Sequence, residues 1–261
     1  MPEITPSAVA TTVQELIIPE VELAVKGGPM EKPLNIVYST DPQVAMTENG
    51  SKYCVKGAED AGIVLAEILG HVLAGILQIP VPDFAVGRFE EGGPPVFASA
   101  LLENAVRDVE SWVKVNRVTD ITMLSRLIAL DVWLANNDRN IGNLLGRVGS
   151  SSKDGSIELV AIDFEKAAIV RKIAPTIEIP GMPPKSFWPR GVLGTYCKTR
   201  AKITDAALSK FAGLSDGLIQ SAVSNTFAAV RVNNAEKIDT VTTILKKRRD
   251  HIESLVRSEW N

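Results

Sequence analysis

Two cysteines and two histidines in 261 residues leave little material for several kinds of chemistry. Cys54 and Cys197 are far apart and fit neither a disulfide framework nor a metal-binding pair, so both are read as structural thiols in a reducing, cytoplasmic setting. His71 and His251 have no companion Cys or carboxylate residues at ligand spacing, which leaves a zinc site or a His-based hydrolase without support. No window reaches the about eighteen apolar residues that a membrane span requires, and no basic start leads into an apolar N-terminal core. The phosphate-loop pattern G-x-x-x-x-G-K-[S/T] is missing, so a P-loop nucleotidase is disfavoured. Aromatic residues make up only 5 %, and Trp112, Trp133, Trp188 and Trp260 are too dispersed to form a base-stacking platform; Trp133 is expected in the core. A formal charge of −3 gives no general drive toward nucleic acid or anionic membranes. The short basic run Lys246–Arg249 is read as a solvated helix face. There is no internal repeat.

With 45 % apolar and 23 % charged residues, the chain has the composition of an ordinary folded domain. Its first part, 1–33, holds five prolines and the pair Gly27 and Gly28, and is expected to be a loosely docked extension. From 34 to 102 come short β-prone runs: Leu34–Ser39, Lys52–Lys56, Asp83–Phe89 and Pro95–Leu102. One apolar helix, at about Ile63–Leu77, interrupts them. From 103 to 261 the pattern is mostly helical: Ile121–Ala135 is apolar almost all round, as in a helix buried in a larger lobe, and helical periodicity returns from Ile203. Pro175–Pro189 is too rich in proline for a long regular element. The expected architecture is therefore α+β, with a small β-rich lobe and a larger helical one.

The chemistry concentrates in Leu130–Asn143, L-D-V-W-L-A-N-N-D-R-N-I-G-N, and in Leu159–Phe164, L-V-A-I-D-F. Asp138 and Asn143 stand five apart in a stretch of Asn and Gly residues, which favours a loop that turns both side chains toward one site. Asp163 ends an apolar strand-like run, where a lone carboxylate is costly unless it is paired or holds a cation. Phosphoryl transfer needs a carboxylate to orient the attacking hydroxyl, and an Asn and an Asp to hold the magnesium that bridges the phosphates. Asp138, Asn143 and Asp163 supply these groups in that order. Between the two motifs, Asn143–Glu165 reads as a hairpin whose connector, Gly149–Ser156, is small, polar and expected to be exposed.

At these residues the chain resembles the kinase superfamily, in which a D-R-x-x-x-N loop precedes an Asp-Phe-Gly-type metal motif. Within it the chain most resembles the HipA-like kinases, with phosphatidylinositol kinases as a second relative. Gly50–Gly57, G-S-K-Y-C-V-K-G, is similar to the strand that bears the ATP lysine, and Leu65–Pro82 to the helix and Pro-flanked strand that follow. The resemblance covers about 35–172 and, more loosely, Ile244–Ile252. It implies a two-lobed protein-kinase-like fold and an ATP- and magnesium-dependent phosphotransferase. Asp138 would act on the acceptor hydroxyl; Asn143 and Asp163 would hold magnesium; Lys56 would bind phosphate; and Glu67 would position Lys56. Arg139 would anchor the loop, and backbone near Ser99, Leu101 and Leu102 would hold adenine. Glu67 has apolar neighbours, so the alternative to a Lys56 pair is an exposed stripe beside His71. No G-x-G-x-x-G precedes Lys56, and only Thr47–Gly50 offers a turn whose amides can approach phosphate. Asn140 stands where the family usually has His, and Glu165 where many kinases have Gly. These two residues keep open a pseudokinase or nucleotide-binding scaffold, while the shared fold keeps open a lipid or small-molecule kinase. The implied acceptor is a Ser or Thr of a protein, including the chain's own Ser150–Ser152.

Overall fold

A computed structural model of the chain describes residues 16–29, 43–102, 104–136, 139, 141–148, 155–171 and 201–260. Six strands form one sheet: β1 (Glu20–Glu22), β2 (Val25–Pro29), β3 (Gln43–Met46), β4 (Lys52–Lys56), β5 (Phe84–Arg88) and β6 (Val96–Ala100). Their order is β1-β5-β6-β4-β3-β2, with β1 parallel to β5 and the remaining neighbours antiparallel. The β-prone runs at 52–56, 83–89 and 95–102 thus become adjacent strands, whereas Leu34–Ser39 lies outside the described residues. Residues 20–29, expected within a loosely docked extension, instead supply both edge strands. Leu23 explains the difference, because it is buried against Val55, Val96 and Ala98 and its N–H donates to Arg88 O at 2.8 Å.

Helix α1 (Ala61–Ile76) follows β4 across a sharp turn at Gly57, whose φ of +83° favours glycine; a Cβ there would meet Val64 at 2.7 Å. Asp60 caps the helix by accepting the Gly62 N–H at 2.8 Å. Residues 63–74 are all buried, because α1 is covered by the sheet on one side and by helices on the other. Full burial of side chains such as Ile68, Leu69 and Leu73 stabilises by about 1.5–3 kcal/mol each.

The helical part comprises α2 (Val109–Lys114), α3 (Met123–Leu134), the short α4 (Ala168–Arg171), α5 (Ala201–Ala212), α6 (Asp216–Ala229), α7 (Ala235–Asp250) and α8 (Ile252–Trp260). Every residue of α3 is buried, as its nearly uniform apolarity predicts. Trp133 is fully buried, with an edge-to-face contact to Phe211 and its Nε1–H donating to Leu245 O at 2.8 Å. The expected hairpin is β7 (Leu144–Val148) paired with β8 (Ile157–Ala161). Of its connector, Gly155 is exposed and Ser156 is buried, while Ser150–Ser152 lie outside the described residues. No described helix is long and apolar enough to cross a membrane.

Candidate active site

Strand β4 ends at Lys56, and α1 brings Glu67 beneath it. The Lys56 Nζ donates to Glu67 Oε1 at 3.0 Å. The second Glu67 oxygen accepts the Phe164 N–H at 2.9 Å, so one carboxylate ties the sheet lysine to the segment that follows β8. Glu67 and His71 are both fully buried, which excludes the exposed-stripe alternative. Burial lowers the pKa of His71 to about 3, so its ring is neutral. The ring lies among those of Phe84, Phe97 and Phe164, with centroid separations of 4.7–5.1 Å. Gly70 permits this packing, because a Cβ there would stand 2.4 Å from the Phe164 side chain. A glycine inside a helix costs roughly 0.5–1 kcal/mol relative to alanine, and here the cost offsets a direct clash.

Asp163 lies 3.1 Å from Lys56 Nζ and has φ +67°, a left-handed conformation in which non-glycine residues are strained. Glu165, the residue that departs from the kinase pattern, is fully buried with Oε2 3.5 Å from the same ammonium. Three carboxylates thus surround one lysine. Burial alone would lower the Lys56 pKa, but Glu67, Asp163 and Glu165 together drive it well above the ordinary lysine range. The Asp163 pKa is raised, first by burial, with Lys56 opposing and the two glutamates adding to the rise. Cys54, the neighbour of this cluster on β4, is held as an inert thiol by burial, which raises its pKa to about 11. Cys197 lies outside the described residues.

The described residues suit a divalent cation. One oxygen from each of Glu67, Asp163 and Glu165 lies within 4.8 Å of the others, three carboxylates against the ammoniums of Lys56 and Lys166, which leaves one negative charge over for a cation that Asp163 can meet. Asp163 is the member with solvent access, its side chain 17 % exposed. Asn143 closes a 3-10 turn (Ile141–Asn143) at the same end of the hairpin, and its carbonyl accepts the Ile162 N–H at 3.1 Å. Asp138 and Asn140 lie outside the described residues.

Arg139 is the hub behind this end. Its Nε and Nη2 donate to the two oxygens of Asp131 at 2.9 and 3.1 Å, while Nη1 donates to the carbonyls of Asn143, at 3.1 Å, and Ile162. Its guanidinium also lies 4.7 Å from the centre of the Phe164 ring. Asp131, missed by sequence reasoning, accepts from Asn136 Nδ2 at 2.8 Å as well; the detectable signal was one acid in the apolar run Leu127–Leu134. The expectation for Lys246–Arg249 is corrected. Arg248 is 1 % exposed and donates to the carbonyls of Trp133, at 2.9 Å, and Val132, at 2.5 Å, because α7 points it at the unpaired C-terminal end of α3. Arg249 is held by Asp216 and the Leu214 carbonyl.

At the other side of Lys56, Ser99 belongs to β6 and pairs across the sheet with Cys54 and Phe84. The Leu101 N–H donates to Lys52 O at 3.0 Å. Leu102 follows, partly buried.

No protein-family model matches the sequence, and no curated protein matches it at significant similarity. Among solved structures, the proinflammatory kinase CtkA of Helicobacter pylori aligns over 93 % of this chain and 98 % of its own, with TM-score 0.59 and 13 % identity. An N-terminal fragment of LepB from Legionella pneumophila aligns over 80 % of this chain and 46 % of its own, with TM-score 0.48 and 14 % identity. The likeness to CtkA defines the fold: this chain is a two-lobed α+β protein of the protein-kinase-like class.

Proposed function

We propose that this chain is an ATP- and magnesium-dependent phosphotransferase of HipA-like type whose acceptor is a Ser or Thr hydroxyl of a protein, its own included. The observation that carries the reading is the convergence of Lys56, Glu67 and Asp163 within hydrogen-bonding distance, from three separate elements of a kinase-like fold. In this reading the nucleotide-binding lobe runs to about residue 102 and the catalytic lobe from 103 to 261. Lys56 binds the phosphates and Glu67 fixes its position. Leu102 is better placed than Leu101 to offer adenine an N–H, since the Leu101 N–H is already given to Lys52 O. Asn143 and Asp163 hold magnesium, which when bound supplies positive charge against the phosphate oxygens. Arg139 ties the Asn143 carbonyl to that of Ile162 at the strand end, and Asp138 orients or deprotonates the acceptor hydroxyl.

Separate roles for the two aspartates give separate signatures. Asp163→Asn should abolish both transfer and magnesium-dependent nucleotide binding. Asp138→Ala should leave binding nearly intact while lowering turnover by at least about a hundredfold, the size of a lost general base. Calorimetric binding of Mg·ADP and turnover of labelled ATP would measure the pair. Lost binding in Asp138→Ala with normal activity in Asp163→Asn would reverse the roles and defeat the assignment.

A further inference from the structure

A lysine ammonium has three N–H donors. Lys56 donates to Glu67 at 3.0 Å, lies 3.1 Å from Asp163 and forms a longer ion pair with Glu165 at 3.5 Å, so a carboxylate faces each of its donors. The three partners differ in their freedom to leave. Glu67 is buried and bound to the Phe164 N–H; Glu165 is buried, with Lys166 3.3 Å from its other oxygen. Asp163 alone retains solvent access. With glycine at position 165, Lys56 would keep a donor for a phosphate oxygen whatever Asp163 did. With glutamate there, a buried carboxylate faces the third side of the ammonium, and room for a phosphate oxygen opens when Asp163 turns away.

We infer that Glu165 makes phosphate capture by Lys56 conditional on a divalent cation, because the cation is what draws Asp163 off the lysine. The inference rests on the phosphotransferase reading and adds to it a residue that decides how the site responds to metal. Glu165 reaches the nucleotide only through Lys56, so it is a positioning residue. Its carboxylate also adds negative charge next to the incoming phosphates, which opposes metal-free nucleotide in the same direction.

The test is ADP binding by full-length protein, measured by calorimetry in excess magnesium and again in a chelator, for wild type, Glu165→Gln and Glu165→Ala. Wild type is expected to bind at least about a hundredfold more weakly without metal, the scale of a lost set of charge-assisted contacts. Each variant should bind metal-free ADP about tenfold more tightly than wild type, Ala at least as much as Gln, so that the gap between the two conditions narrows. Unchanged metal-free affinity in both variants would overturn the inference while leaving the kinase reading intact. So would loss of ADP binding under both conditions, which would make Glu165 a support that Lys56 cannot do without. Both variants are expected to melt no lower than wild type, because removing one of three carboxylates set against the ammoniums of Lys56 and Lys166 leaves the charges matched. Loss of the fold in both would contradict that charge argument and the inference with it. Wild type that fails to bind Mg·ADP at all would defeat the kinase reading first.

Discussion

Two buried ionic clusters lie on either side of Phe164, and they are built to opposite rules. On the sheet side, three carboxylates crowd Lys56, with Lys166 against Glu165 alone, and one of them, Asp163, is partly open to solvent in a strained backbone conformation. On the other side, Arg139 meets Asp131 through two hydrogen bonds, and its Nη1 donates to the carbonyls of Asn143 and Ile162. Arg248 similarly spends its charge on the carbonyl end of α3. The second cluster is matched in charge, one arginine to one aspartate, and reads as scaffold. The first carries surplus negative charge and a member able to move, which is the condition of a site awaiting a cation and an anionic ligand.

If that contrast is right, the scaffold cluster should be intolerant of single losses. Arg139→Ala and Asp131→Ala should each cost about 3–5 kcal/mol, because each strands a buried charge. The double variant should be no worse than about the poorer single one, since both remove one interaction. Urea unfolding would measure all three, and simple additivity would show that the pair is not a unit.

Arg248→Met tests the more distant support. Losing the donor to the buried Trp133 carbonyl, while Val132 O still accepts the Ala135 N–H, should cost about 2 kcal/mol. The urea midpoint should fall with the slope unchanged. A midpoint equal to that of wild type would return this arginine to the solvated face expected from sequence.

The smallest effect concerns the aromatic seam between the clusters. His71 has a pKa of about 3 in the fold against 6.5 ordinarily. Between those values the unfolded chain holds a proton that the folded chain refuses, so stability should fall as pH drops below about 6.5. At one pH unit below, the loss is about 1.4 kcal/mol. His71→Phe should flatten this acid slope in thermal melts at pH 5.5 and pH 7. An equal slope in both proteins would show that the imidazole is not the group responsible.

The sheet-side cluster was largely legible in the sequence, because a lysine closing an alternating strand and a glutamate inside an apolar helix each demand a partner. Asp163 was legible for the same reason, at the end of an apolar run. Glu165 was noticed only as a departure, since its meaning depends on its distance to Lys56, which no spacing encodes. The scaffold cluster was less visible. Arg139 was recognisable from its place in the loop, but Asp131 was hidden in a helix read as uniformly apolar. Arg248 sat in a basic run whose usual meaning is exposure, and its partners lie more than a hundred positions away. Strand β1 falls in Val13–Val25, which reads as strand-like or short helical, whereas β2 escaped notice because it is short and interrupted by Gly27, Gly28 and Pro29, so that its pairing is decided by the rest of the sheet.

The most direct measurement is incubation of the purified chain with γ-labelled ATP and magnesium, with and without cell lysate, alongside Asp163→Asn. The phosphotransferase reading predicts label on protein Ser or Thr, a mass increase of the chain itself where it is its own acceptor, and neither in the variant. Label confined to lipids or small molecules would contradict the protein acceptor. Wild type that transfers no label and binds no Mg·ATP would contradict the phosphotransferase itself.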